Sequence, residues 1–128
     1  MNLLLDTHVF IWYSVTANKL SKSALDAIND EKNVLYLSQV SIWEMQIKQN
    51  LGKLVLPSDI KSMVEKQIGV NCFELLQIKN EHFWQLASLP KLHKDPFDRL
   101  LVCQAQKESL TMVTCDSKIP GYGIDVLW

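Results

Sequence analysis

Short apolar runs that stop at an acidic residue set the tightest limit on what this chain can fold into. Leu3, Leu4 and Leu5 lead directly into Asp6, and Met112, Val113, Thr114 and Cys115 lead into Asp116. A run this short, with no polar alternation, fits a strand buried on both faces. "VLYLS" (34–38) and "CFELLQI" (72–78) read as strands too, and "IDVLW" (124–128) as a short last one. Between them the spacing turns helical. "SKSALDAIND" opens on a serine cap and places Ala24, Leu25 and Ile28 on one face. "SQVSIWEMQIKQNLG" starts at a Ser38 cap and stops at Gly52. "PSDIKSMVEKQIG" is capped by Ser58 and closed by Gly69, and "NEHFWQLASLP" is a short helix ended by Pro90. "SKIPGYG" has the chemistry of a loop. Strands alternating with helices imply an α/β fold, a parallel sheet covered by helices on both faces. Ligands of such sheets bind beyond the carboxyl ends of the strands, where Asp6 and Asp116 lie.

The chain has 128 residues, 48% of them hydrophobic, and reads as one domain over residues 1–128. No apolar run approaches the ~20 residues of a membrane span. The start, "MNLLLDTHVF", lacks the basic region and cleavage site of a signal peptide. Cys72, Cys103 and Cys115 form no CxxC pair, which favours reduced thiols and a cytoplasmic setting. Cys103 on a helix and Cys115 in a strand are expected to be buried. Net charge is −1, the lysines are scattered, and Arg99 is the single arginine. This is not the basic footprint of a typical nucleic-acid binder, unless bound metal ions change the local charge.

The acids carry the chemistry. In "HKDPFDRLLVCQAQ" (93–106), Pro96 fits the first helical position and Asp95 the N-cap. Asp98 falls in the first turn, and Phe97, Leu100, Leu101 and Ala105 face the core. Taken alone, both aspartates could serve only to start a helix. Glu44 is more informative, because it lies on or beside an apolar stripe of Val40, Trp43, Ile47 and Leu51. A buried carboxylate must be neutralised, paired or bound to metal. Lys48, four residues on, is one partner, worth only ~0.3–0.5 kcal/mol if the pair is exposed. The other lysines sit mostly at exposed helical positions. Asp6, Glu44, Asp98 and Asp116 can all converge at the carboxyl edge of one sheet. Together they would repel without cations, and all-oxygen ligation suits Mg²⁺ or Mn²⁺.

At this point "LLLDTHVFIW", "SQVSIWEM", "HKDPFDRLLVCQAQ" and "TMVTCDSKIPGYGIDVLW" resemble the PIN-domain nucleases, and among them the VapC-type toxins of toxin–antitoxin pairs. The likeness spans essentially the whole chain, in order. The resemblance implies a sheet in the order 3-2-1-4-5 flanked by helices. It also implies an endoribonuclease dependent on Mg²⁺ or Mn²⁺ and held in check by an antitoxin. The family's acids map onto Asp6, Glu44, Asp98 and Asp116 as metal and catalytic residues. Asp95 is an accessory acid, and Thr7 and Thr114 match hydroxyl positions that could orient carboxylates or water. A homodimer is expected, with Trp12 and Trp84 as candidate contacts; ordinary core packing is their alternative role.

The histidines show no zinc spacing. His8 is expected to be structural, while His93 lies near the acids. Two other classes stand against the nuclease reading. A phospho-acceptor domain wants an acid pair near Asp6, where residues 4 and 5 are leucines, and a non-catalytic binding module would use its acids only as caps.

Overall fold

A strand that pairs in parallel with its neighbour must cross back over the sheet, and in this chain α-helices make every crossing but the last, where a loop with one 3₁₀ turn leads from Val113 to Val126. The computed structural model describes residues 1–128. In order, β1 (Asn2–Leu5) is followed by α1 (Thr7–Val15) and α2 (Lys22–Asn29). Then come β2 (Val34–Ser38), α3 (Gln39–Asn50), α4 (Ile60–Val70) and β3 (Glu74–Leu76). The chain closes with α5 (Asn80–Leu86), α6 (Pro96–Glu108), β4 (Thr111–Val113) and β5 (Val126–Leu127). The sheet has the order β3-β2-β1-β4-β5, as the resemblance implied, and every pairing is parallel.

The central strand explains why the first apolar run has no polar alternation. Successive side chains of a strand point to opposite faces. Leu3 and Leu5 enter one core with Leu35, Leu37, Phe10, Ile28 and Met63. Leu4 enters the other with Met112, Leu100, Leu101 and Val102. All three leucines are fully buried, so β1 is covered on both sides and its carboxyl end is held rigidly. No helix is long and apolar enough to cross a membrane.

Local chemistry departs from the sequence reading at several points. The stretch "THVFIWYSV" forms α1. Its apolar residues occupy nearly every position, so no periodic stripe marks it. α4 is capped by Asp59, not Ser58: Asp59 Oδ1 accepts from the Ser62 backbone N–H at 2.7 Å and Oδ2 from the Ser62 hydroxyl at 2.9 Å. Gly69 does not close that helix, which runs on to Val70; the left-handed turn falls instead on Cys72, at φ 56°. Gly52 does follow α3 with φ 71°, the conformation that a glycine adopts without strain. Within "SKIPGYG", Ile119–Tyr122 form a single 3₁₀ turn. Cys115 lies just beyond β4 and is exposed, while Cys103 is buried. All three cysteines are unpaired.

Candidate metal centre at the carboxyl edge of the sheet

Each acid reaches the edge for a local reason. Asp6 is the residue after β1 and the N-cap position of α1, and its backbone N–H still bonds Val113 across the sheet at 3.0 Å. It is held at the strand end and is nearly buried, 6% exposed. Its Oδ2 accepts the Thr114 hydroxyl at 2.7 Å, and its Oδ1 is buried with no partner. The same Thr114 oxygen accepts the Asp116 N–H at 3.1 Å, so one hydroxyl ties together the acids that end β1 and β4.

Glu44 is buried, but on a different stripe from the one its sequence suggested. The buried face of α3 is Val40, Ser41, Glu44 and Met45. Trp43 and Leu51 are exposed. Trp43 packs edge-on against Phe97 at 4.9 Å between ring centroids, bridging α3 to the start of α6. Glu44 Oε2 pairs with Lys48, and Glu44 Oε1 is buried without a partner. The pair is not an exposed one: only 30% of the Lys48 side chain is open to water. Burial works against its ammonium, yet the bond to Glu44 and the fields of Asp95 and Asp98 outweigh that and raise its pKa. Lys48 is the lysine that pairs with one of these four acids.

Asp95 caps α6 with Oδ1, accepting from the N–H of Phe97 at 2.8 Å and of Asp98 at 3.3 Å. Pro96 follows in the first turn, where a missing N–H costs nothing. Asp98 is turned into the cluster. Its carboxyl is pushed up to about 8, first by burial and then by the negative charges of Asp6, Asp95, Glu44 and Asp116. Burial likewise raises the pKa of Asp6, with the bond from Thr114 opposing it. Asp116 goes the other way: burial opposes its ionisation, but the Lys118 N–H and the His93 ring together hold it below the usual range.

His93 enters the site, and its neighbours fix how. Its Nε2 lies 2.8 Å from Asp116 Oδ2 and its Nδ1 2.9 Å from the Tyr122 hydroxyl. The His93 backbone N–H also donates to that hydroxyl at 2.9 Å, which leaves the hydroxyl hydrogen free to donate to Nδ1. Nε2 then carries the ring proton and donates it to Asp116. With Asp116 Oδ1 accepting the Lys118 N–H at 2.9 Å, both oxygens of this carboxylate are oriented. Ligand atoms of His93, Asp98 and Asp116 all lie within 4.8 Å of one another.

The remaining candidates sit elsewhere. The Thr7 hydroxyl donates to Ser41 Oγ at 2.8 Å, joining α1 to α3 rather than meeting a carboxylate. His8 is exposed, so it is not the structural histidine its sequence suggested. That place belongs to His82, fully buried, with Nε2 2.9 Å from Glu108. Trp12 is half-buried, 6.1 Å from Trp128 between ring centroids, and Trp84 is 71% exposed. Tyr122 was missed by the sequence reading, because a residue acting through another from a distant turn leaves no mark in spacing.

The arrangement defines a class: a parallel α/β domain whose strand-ending and helix-borne carboxylates meet at one edge, with two buried oxygens lacking any partner. The PIN domain model matches residues 3–124, and the chain belongs to that family of nucleases. No curated protein matches its sequence. Among solved structures, it is similar to VapBC2 from Rickettsia felis bound to a DNA fragment from its promoter. There the TM-score is 0.69 and identity 19%, over 98% of this chain and 97% of that one. It is also similar to FitAcB from Neisseria gonorrhoeae, with TM-score 0.59 and 19% identity over 97% and 95% of the two chains. FitAB bound to the IR36 DNA fragment gives TM-score 0.58 at 19% identity over 97% and 92%. At this identity the likeness is one of fold.

Proposed function

We propose that this chain is a metal-dependent endoribonuclease, the toxin of a toxin–antitoxin pair, with Asp6, Glu44, Asp98 and Asp116 as its catalytic acids. The observation that carries the reading is the pair of orphaned oxygens, Asp6 Oδ1 and Glu44 Oε1. A buried carboxylate oxygen with no hydrogen bond is costly, and two in one acid cluster fit ligands for a hard divalent cation such as Mg²⁺ or Mn²⁺. Asp98 and Asp116 complete the oxygen set. A bound cation of this kind supplies charge for phosphate oxygens and lowers the pKa of a water molecule.

The chain's own groups do the rest. Thr114 holds Asp6 by one oxygen and leaves the other free. His93 and the Lys118 N–H fix the plane of Asp116. Asp98 keeps a proton at neutral pH while the cluster is uncompensated, and releases it when positive charge arrives. Asp95 sets the start of α6 and so the position of Asp98; its part is accessory.

The solved relatives are VapBC and FitAB assemblies, and this supports an antitoxin as partner. The single-domain reading of residues 1–128, a homodimer and a cytoplasmic setting belong to the same proposal. The exposed Trp84 and the three unpaired thiols accord with the last two. The test is toxicity and cleavage together. Expressing the chain without an antitoxin should slow growth and leave new RNA ends, and Asp6→Asn should abolish both. Equal toxicity of the two would overturn the assignment.

A further inference from the structure

A chain of net charge −1 with one arginine still has to hold a polyanion beside a cluster of acids. One groove has the means. It has a volume of ≈ 400 Å³ and is lined by Lys91, His93, Lys94 and Arg99 alone, all four basic side chains. It adjoins the acid edge through a shared residue, since the His93 ring that lines it also bonds Asp116 at 2.8 Å.

The groove is built rather than a chance meeting of mobile lysines. The Arg99 guanidinium, from the first turn of α6, donates to the Pro90 carbonyl at 2.8 Å and the Leu89 carbonyl at 3.3 Å, anchoring the near end of the loop. The His93 N–H on the Tyr122 hydroxyl anchors its middle, and the His93 and Tyr122 rings stack at 5.5 Å. Leu92 lies over Gly121, where a Cβ would meet the Leu92 Cδ1 side-chain tip at 2.8 Å. Asp95 fixes the far end by capping α6. Lys91 and Lys94 therefore rise from a backbone pinned at several points. Both are exposed, and neither joins any of the chain's ion pairs.

We propose that this groove is a binding site for the sugar–phosphate backbone of single-stranded RNA. Lys91 and Lys94 take phosphates flanking the one placed at the acid edge. The proposal rests on the ribonuclease reading above. Lysine ammoniums bind phosphate as point charges and carry no base preference. The groove thus sets affinity and register, not sequence. Arg99 and Tyr122 act as positioning residues that hold the loop.

The test uses the full chain with Ca²⁺ and a short fluorescein-labelled single-stranded RNA, with anisotropy measured across a salt series. Lys91→Gln with Lys94→Gln should weaken binding about tenfold and lower the salt slope by about 0.7 for each lysine lost. Lys32→Gln, at the opposite edge of the sheet just before β2, should change neither. The rise in melting temperature with Mn²⁺ should be the same in all three proteins, because none of these lysines touches the acids. Binding unchanged in the double variant, or an equal loss from Lys32→Gln, would overturn the groove and leave the nuclease reading standing. No RNA binding by the wild type would overturn the reading itself.

Discussion

Asp98→Asn should stabilise the metal-free protein, and the gain should grow with pH. The Asp98 carboxyl is pushed from 3.8 to about 8 in the fold, by burial and by four neighbouring acids. An acid whose folded pKa is raised binds its proton more tightly in the native state. Its contribution is fully present below the unfolded value near 3.8 and is lost as pH rises through about 8. In chelator, the wild type should thus lose stability steadily across that window. Asparagine keeps the volume and has no charge to impose. Asp98 is only partly buried, and screening leaves only part of the full linkage, about 1–2 kcal/mol at the top of the window. For a chain of this length that is roughly 3–8 °C in Tm. The assay is thermal melting in chelator at stepped pH, wild type against Asp98→Asn. The two curves should meet near pH 4 and separate as pH rises, while the variant loses nearly all cleavage in Mn²⁺. Parallel curves across the window would mean that Asp98 carries no strain from its neighbours, contrary to this expectation.

Other outcomes follow from the same geometry. Lys48→Met should lower the metal-free Tm, since it strands the buried Glu44 charge at a cost of about 1–3 kcal/mol; melts in chelator measure this, and Mn²⁺ should restore most of the loss. Asp95→Ala should cost ~0.5–2 kcal/mol by removing the α6 cap, whereas Asp95→Asn should keep both the cap and measurable cleavage. Tyr122→Phe should free the His93 ring and loosen Asp116. A weaker Mn²⁺-induced rise in Tm would register this, with Asp6 and Glu44 still in place.

The parallel strands were readable because β1 buries both faces and ends at an acid, whereas their order came only from the family resemblance. The cap at Asp95 and the stop at Gly52 were readable for similar reasons, since each rests on one residue's own chemistry. What was hidden depended on competition or distance. Asp59 and Ser58 are both good caps, and only the backbone decides that Asp59 reaches Ser62. Glu44 was expected in the core beside Trp43 and Leu51, but α3 is rotated, so Ser41 and Met45 share its face and Trp43 covers Phe97 instead. Whether the Glu44–Lys48 pair would be exposed was not readable, because the cluster around it is completed by three other segments that carry Asp6, Asp98 and Asp116. The link from Tyr122 through His93 to Asp116 joins residues 29 and 23 positions apart. No local pattern records such a pairing.

The acids at the strand ends are proposed to hold a divalent cation and with it to cut RNA. The most direct measurement is cleavage of a defined single-stranded RNA by the purified chain, in Mn²⁺ and in chelator, beside Asp6→Asn. Cleavage is expected from the wild type in Mn²⁺ alone, and none from the variant in either condition. Cleavage that persists in chelator, or that Asp6→Asn retains in full, would contradict the proposal.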